Sequence, residues 1–253
     1  MRRAPAAGLD LGVYAKAVPL LLRNPSIVVI PLLMAVISVL VALMTSVSGS
    51  GIIGGTTSGL SSFIVLLLEL FGLGAACIIA DDAWRNGRAS FDKGWSEARR
   101  RGSDILVAAL GVTLIFFVAQ YAGSLLASLV PFTVLGFNVV ALLLIVAAGI
   151  FLIWAIPAAA VGGIPGGAAI QISIDRVREN AGPAVVTAIV AFLLLRYAVP
   201  YAAIRLWELL LPYTGGSSIV LLLVQALLEA IVLGYIALVI TKTYTDSAFA
   251  RRW

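Results

Sequence analysis

The chain alternates between long apolar runs and short polar segments. Six apolar runs extend over Ile27–Val47, Leu60–Ala80, Ile105–Leu129, Asn138–Val161, Ala184–Leu206 and Ile219–Thr241. A bilayer core of about 30 Å is crossed by roughly 20 apolar residues in a helix, and each run reaches that length. None alternates with the two-residue period of a barrel strand, which spans a membrane in about 10 residues. Inside lipid a backbone must satisfy its own polar groups. The pattern therefore predicts an all-α, polytopic bundle of six transmembrane helices in one integral membrane domain.

The polar segments repeat. Before the first, third and fifth runs the sequence reads Leu22-Arg23-Asn24-Pro25-Ser26, Arg100-Arg101-Gly102-Ser103-Asp104 and Arg178-Glu179-Asn180-Ala181-Gly182. The helix-breaking residues Asn24, Gly102 and Asn180 are spaced evenly, 78 positions apart. Asn and Gly both tolerate the left-handed conformation that ends many helices. The starts of the even runs, Leu60, Asn138 and Gly216, keep the same spacing. Each breaker follows a short stretch with apolar residues at helical intervals: Tyr14, Val18 and Leu21; Phe91, Trp95 and Ala98; Ile170, Ile174 and Val177. Such amphipathic helices lie in the headgroup plane. The expected architecture is three parallel helical hairpins, each entered by an interfacial helix, with repeats at approximately 10–80, 88–161 and 166–241.

Charge sets the expected orientation. Fifteen of the 17 Lys and Arg precede the first run, follow the last, or fall between the second and third or the fourth and fifth. The three opposite loops, Ser48–Gly59, Val130–Phe137 and Trp207–Ser218, hold no Lys or Arg. Cytoplasmic loops carry the basic residues, so both termini are expected in the cytoplasm of a prokaryote, with the protein in its cell membrane. The first run is 21 residues long and follows a lead of 26. A signal peptide has an apolar region of about 7–15 residues, so this run is read as a retained span.

Composition narrows the chemistry. Charged residues are 11% of the chain, against roughly 25% for a soluble domain. There is no histidine and a single cysteine, Cys77. A Ser-His-Asp triad, a histidine metal site, an intrachain disulfide and a Cys-pair zinc site are thereby excluded. No Asp lies inside a span, which excludes an aspartyl intramembrane protease. No cofactor is implied.

Five polar residues inside the spans form the candidate intramembrane site: Glu69, Arg196, Glu229, Gln120 and Gln225. A charge at mid-bilayer costs roughly 2.5–3.5 kcal/mol on insertion scales. Counted from the charged end at 1.5 Å per residue, Glu69, Arg196 and Glu229 all lie about 17–18 Å deep. Arg196 and Glu229 stand on consecutive spans and are the expected ion pair. A packing salt bridge, a substrate or ion site and a carboxylate proton relay are the alternatives. Arg205 and Glu208 are expected to pair at the outer end of the fifth span. Pro200 is expected to kink that span.

Lys93, Arg99, Arg100, Arg101, Arg176 and Arg178 sit on or beside the interfacial helices and are the expected contacts to anionic headgroups. The run Arg99-Arg100-Arg101 is too short and too close to the membrane to imply nucleic acid. Ala226, Ala230 and Gly234 recur at every fourth place of the last span, a spacing that allows close helix packing. The same stripe leaves a protein partner or homo-oligomer open. Gly72, Gly74, Ala75 and Ala76 are read the same way.

Three further features have bland readings. Gly49-Ser50-Gly51-Ile52-Ile53-Gly54 matches a dinucleotide fingerprint, but no strand precedes it. Gly162-Gly163-Ile164-Pro165-Gly166-Gly167 is either a hinge or a phosphate-holding loop. Asp81 and Asp82 resemble a divalent-ion pair, although Arg85 and Arg88 stand beside them.

The entry Arg23-Asn24-Pro25 with Pro31-Leu32-Leu33, the second entry Gly94-Trp95-Ser96-Glu97-Ala98-Arg99, and the ending Thr243-Tyr244-Thr245-Asp246 carry a resemblance over nearly the whole chain. The chain resembles uncharacterised six-helix bacterial and archaeal proteins similar to the membrane domain of some glycerophosphodiester phosphodiesterases. In the fused members of that group a separate soluble barrel does the catalysis. The resemblance therefore implies no catalytic residues here, and the longest basic loop, Asp81–Asp104, is only 24 residues. The expected function is a non-enzymatic membrane module that associates with lipid or assists a partner. The alternative is a small transporter or channel subunit using the midplane Glu/Arg cluster.

Overall fold

The apolar runs fold as helices. The computed structural model describes residues 10–46, 52–129, 133–134, 137–215 and 218–249. In chain order these form α1 (Gly12–Arg23), α2 (Ser26–Ser46), α3 (Ile52–Asn86), α4 (Phe91–Arg100), α5 (Gly102–Leu129), β1 (Thr133–Val134), β2 (Phe137–Asn138), α6 (Val139–Leu152), α7 (Ala155–Ala160), α8 (Gly166–Glu179), α9 (Ala181–Leu193), α10 (Val199–Thr214) and α11 (Ser218–Phe249). A π-helical turn, Leu194–Ala198, joins α9 to α10. The strands are a single antiparallel two-residue ladder between α5 and α6, so the architecture is all-helical.

Five segments are long and apolar enough to cross a membrane: Leu60–Asn86, Gly102–Leu126, Val139–Ala160, Ala181–Thr214 and Ile219–Ser247. The bent pair α1 and α2 makes a sixth when it is taken as one span. Val118, Leu125, Leu143 and Leu209 are more than half exposed, an apolar surface that water does not support over such lengths. Lipid is its natural solvent.

One expected spacing changes. The helix ahead of Leu60 begins at Ile52, so the even helices do not start 78 residues apart. Gly54, Gly55 and Gly59 fail to stop it, because a glycine costs a helix only about 1 kcal/mol and no proline intervenes. Gly216 lies outside the described residues, as do Gly49–Gly51 and the basic residues Arg2, Arg3, Arg251 and Arg252.

The breakers also differ from expectation. Asn24 has φ −130° and ψ 65°, and Asn180 has φ −130° and ψ 53°. Neither is left-handed, and Gly102 opens α5. The left-handed positions among the described residues are Gly87, Gly163 and Gly215. The two asparagines end their helices by another route. Each turns its side-chain N–H back to the carbonyl four residues earlier: Asn24 Nδ2 to Leu20 O at 2.9 Å, and Asn180 Nδ2 to Arg176 O at 3.3 Å. That bond competes with continuation of the helix.

The short helices pack most closely through small residues, and the expected apolar stripes share in the contact: Ala98 and Val177 are buried, and Tyr14, Leu21, Phe91, Trp95 and Ile170 pack against the core. The buried faces are Val13 and Ala17 on α1, Gly94 and Ala98 on α4, and Ala169, Ser173 and Val177 on α8. Val18, expected inside, is half exposed. The physical reason is close approach. A side chain at Gly94 would strike Ile79 of α3, and one at Gly166 would strike the backbone of α5 at Asp104 and Ala108. Larger apolar residues flank these seams.

Packing closes the bundle. α4 lies on α3, α8 lies on α5 and α7, and α1 lies on α11. Tyr14 of α1 is held by Thr187 of α9, hydroxyl to hydroxyl at 2.8 Å, and its carbonyl accepts from the Tyr235 hydroxyl of α11 at 3.2 Å. α3 is the central helix: half of its apolar window is buried, against 22–28% for the other four spans. Gly72 and Gly74 bring α3 against Met34 and Ile105. Ala226 and Ala230 are buried, and Gly234 lies against Val28 and Leu21, so the small residues of α11 seat α2 and α1.

Prolines interrupt two spans. Pro157 crowds the carbonyl of Ile153, four residues earlier, and the helix breaks at Ile153–Trp154 between α6 and α7. Pro200 stands four residues after Arg196. There the chain widens into the π turn, with Val199 N–H donating to Leu194 O. The span is thus re-satisfied and stays continuous.

Candidate functional site

A partly open cavity of about 270 Å³ lies between the helices. Leu66, Leu70 and Leu73 of α3 form one wall, and Phe116 of α5 and Ile145 of α6 form another. α7, α9 and α11 complete it through residues such as Ile156, Phe192 and Leu233. All of its lining is apolar except Glu69. The amphipathic logic of the spans produces this arrangement. Bulky apolar side chains on six helices cannot all meet at one axis, and Gly149, whose nearest neighbour is Phe116, leaves the remaining space open.

Glu69 is not alone. Its carboxylate is close enough to Glu229 of α11 for the two charges to interact, and the Gln225 side chain hydrogen-bonds Glu229. The structure therefore brings together Glu69, Glu229 and Gln225. It separates the other two members of the expected cluster. Arg196 is exposed on the outer surface of the π turn, and among the described residues no ion pair joins it to Glu229. Gln120 is exposed on α5. Equal depth along two helices places residues on one level but does not decide which faces meet. The extra residue of the π turn further shifts the angular position of Arg196.

The second polar region lies at the charged end. Asp82 accepts from Lys93 Nζ at 3.0 Å, Asn86 Nδ2 at 2.8 Å and Ser90 N at 3.3 Å. Asp81 pairs with Arg85 at 2.9 Å. These contacts engage the carboxylates that the sequence offers as an ion pair for a metal. Glu97 accepts from Arg100 Nη2 at 2.7 Å and Arg101 Nε at 2.6 Å. The Arg100 and then the Arg101 hydrogen bonds hold its carboxyl below the usual glutamate range.

The basic residues divide into two groups. Lys93, Arg99, Arg100 and Arg178 are exposed, and Arg99 stacks over the Trp95 ring at 5.8 Å. Arg101 and Arg176 are turned inward. Arg101 Nη1 donates to Ala160 O at 3.0 Å and Val161 O at 3.1 Å. Arg176 donates to Tyr244 O at 3.3 Å and lies over the Tyr244 ring at 4.1 Å. These two are fold-closing contacts, a correction to their expected place at the headgroups. The carbonyls at the C-terminus of α7 lack partners and carry partial negative charge, which draws the Arg101 guanidinium inward, whereas Arg176 is held by the ring and carbonyl of Tyr244, inside α11.

One network was not foreseen. Trp154 is fully buried. Ser173 of α8 donates to Phe151 O at 2.8 Å and accepts from Trp154 N at 3.2 Å. Trp154 Nε1 reaches Thr243 Oγ1 of α11 at 3.1 Å. The only signal in the sequence was Pro157 inside an apolar run, which requires some partner for the displaced backbone.

The remaining expectations resolve simply. Arg205 Nη1 pairs with Glu208 Oε2 at 2.8 Å on the surface of α10. Cys77 is buried. The second glycine cluster is a tight turn: Gly163 has φ +65° and Gly162 is wedged against Tyr244. This is packing and not a hinge.

These features define a multi-pass helical membrane protein with a polar-capped end and an internal apolar cavity. Compared with protein-family models, curated proteins and solved structures, the chain matches none.

Proposed function

We propose that the chain is a non-enzymatic, lipid-associated module of a prokaryotic cell membrane, with both termini in the cytoplasm. The observation that carries this reading is the 84° bend between α1 and α2. A helix nearly perpendicular to its span lies in the headgroup plane. If α4 and α8 lie in the same plane as α1, the exposed Arg99, Arg100 and Arg178 face anionic lipid, where each basic residue contributes about 1 kcal/mol of attraction.

The reading of three repeated hairpins is supported by a common device. In each unit the short entry helix, or the residue ending it, donates to carbonyls at the end of the unit's second span. Asn24 Nδ2 donates to Gly87 O at 3.3 Å, Arg101 to Ala160 and Val161, and Arg176 to Tyr244. The resemblance to membrane domains of glycerophosphodiester phosphodiesterases accords with a lipid-facing role.

Native mass spectrometry of the purified protein tests the proposal. Anionic lipid should be retained by the wild type and lost when Arg99, Arg100 and Arg178 are all changed to Gln. Equal retention by the variant would sink it. A small transporter is the second reading, favoured by the central cavity. Solute uptake by reconstituted vesicles that disappears in Glu69→Gln would establish it in place of the first.

A further inference from the structure

We infer that the central cavity is a binding site for a lipophilic organic cation, with Glu69 as its counter-charge. The inference shares its cavity with the transporter reading but requires only binding, not movement across the membrane.

Size sets the first limit. An apolar cavity of about 150 Å³ admits a benzene molecule, so about 270 Å³ has room for one ring and a compact head. Shape and polarity set the second. The lining is apolar throughout apart from one carboxylate, and no Lys or Arg takes part in it. Among the described residues Glu69 has no hydrogen bond or ion pair, and its electrostatic neighbour is a second carboxylate, Glu229. Arg196, the one basic residue at this depth, is exposed on the far side of its helix. Two acidic groups in a low-dielectric site attract a cation and repel an anion. A small hydrated metal ion would leave most of its coordination shell against apolar carbon. A cation with an apolar body satisfies both the carboxylate and the walls. Phe116 and Phe192 line the same space, and aromatic rings near a cation add to its attraction.

An isosteric pair of probes tests the inference. Benzyltrimethylammonium and neopentylbenzene have the same shape and differ in charge. Each is titrated against wild-type protein in nanodiscs of zwitterionic lipid, with empty nanodiscs as the blank. The cation should bind at least about tenfold more tightly than the neutral probe. Glu69→Gln should abolish that preference while leaving the neutral probe unchanged. Gly149→Leu fills the cavity from a position with space for a side chain, and should remove binding of both probes. Equal binding of the two probes by the wild type overturns the inference and assigns the space to acyl chains. An unchanged preference in Glu69→Gln, or unchanged binding in Gly149→Leu, also overturns it. Should Glu69→Gln fail to fold, the wild-type comparison and Gly149→Leu still decide. The lipid-module proposal is read separately, from anionic-lipid retention.

Discussion

Arg101 joins the end of α4 to the end of α7. Its Nη1 donates to the carbonyls of Ala160 and Val161, at 3.0 and 3.1 Å, while its Nε holds Glu97 at 2.6 Å. Only a quarter of the side chain is exposed. Truncation would leave two helix-end carbonyls without their charged donor. Arg101→Ala should lower unfolding free energy by about 1.5–3 kcal/mol. Arg101→Lys should recover only part of it, because an ammonium cannot reproduce the guanidinium fork. Thermal or denaturant unfolding in detergent checks both. A variant as stable as the wild type would remove Arg101 from the fold-closing set.

Glu97 gives the fold a dependence on acid. Its carboxyl titrates below the usual range because Arg100 and Arg101 hydrogen-bond the ionised form. A depressed folded pKa contributes stability that is present above the unfolded value, about 4.3. That contribution is lost as pH falls through the lower folded value. Glu97→Gln should therefore be less stable than the wild type at pH 7, and the two should converge as pH falls below 4. Parallel melting curves across that range would contradict the assignment.

Ser173 repairs the break in the α6–α7 span. It supplies one donor and one acceptor to backbone groups that Pro157 displaces. Ser173→Ala keeps the volume and removes both. The expected loss is about 1–3 kcal/mol, the cost of buried polar groups left unpaired. Measured stability within a few tenths of the wild type would mean that the break is satisfied otherwise. Ser173→Thr tests the packing side, since a buried face with no space will not accept a methyl group.

Thr113 offers the opposite experiment. Its hydroxyl is fully buried on α5 and has no partner among the described residues. Thr113→Val exchanges that hydroxyl for a methyl group of similar size. Relief of an unsatisfied group should raise stability by about 1 kcal/mol. A loss of stability would reveal a partner for the hydroxyl in the membrane.

The sequence alone determined the class of protein and the places where helices begin to fail. Span length follows from bilayer thickness, so runs such as Ala184–Leu206 could be read directly as helices. Asn24 and Asn180 marked real helix ends, because a short amide that competes for the backbone acts within a few residues of itself. Pro200 marked the interruption of its span for the same local reason. What surrounds each side chain is a different matter. Depth along a helix is a sum over sequence, whereas facing is an angle that packing and one π turn can rotate. Arg196 and Glu229 share a level and no ion pair, whereas Glu69 of α3 and Glu229 of α11 are near enough for their charges to interact. Arg101 and Arg176 read as headgroup contacts until the end of α7 and Tyr244 of α11 drew them inward. The cavity has no sequence signature at all. It is the volume left when six apolar helices, one of them bearing Gly149, meet around Glu69, and only the tertiary structure could show it.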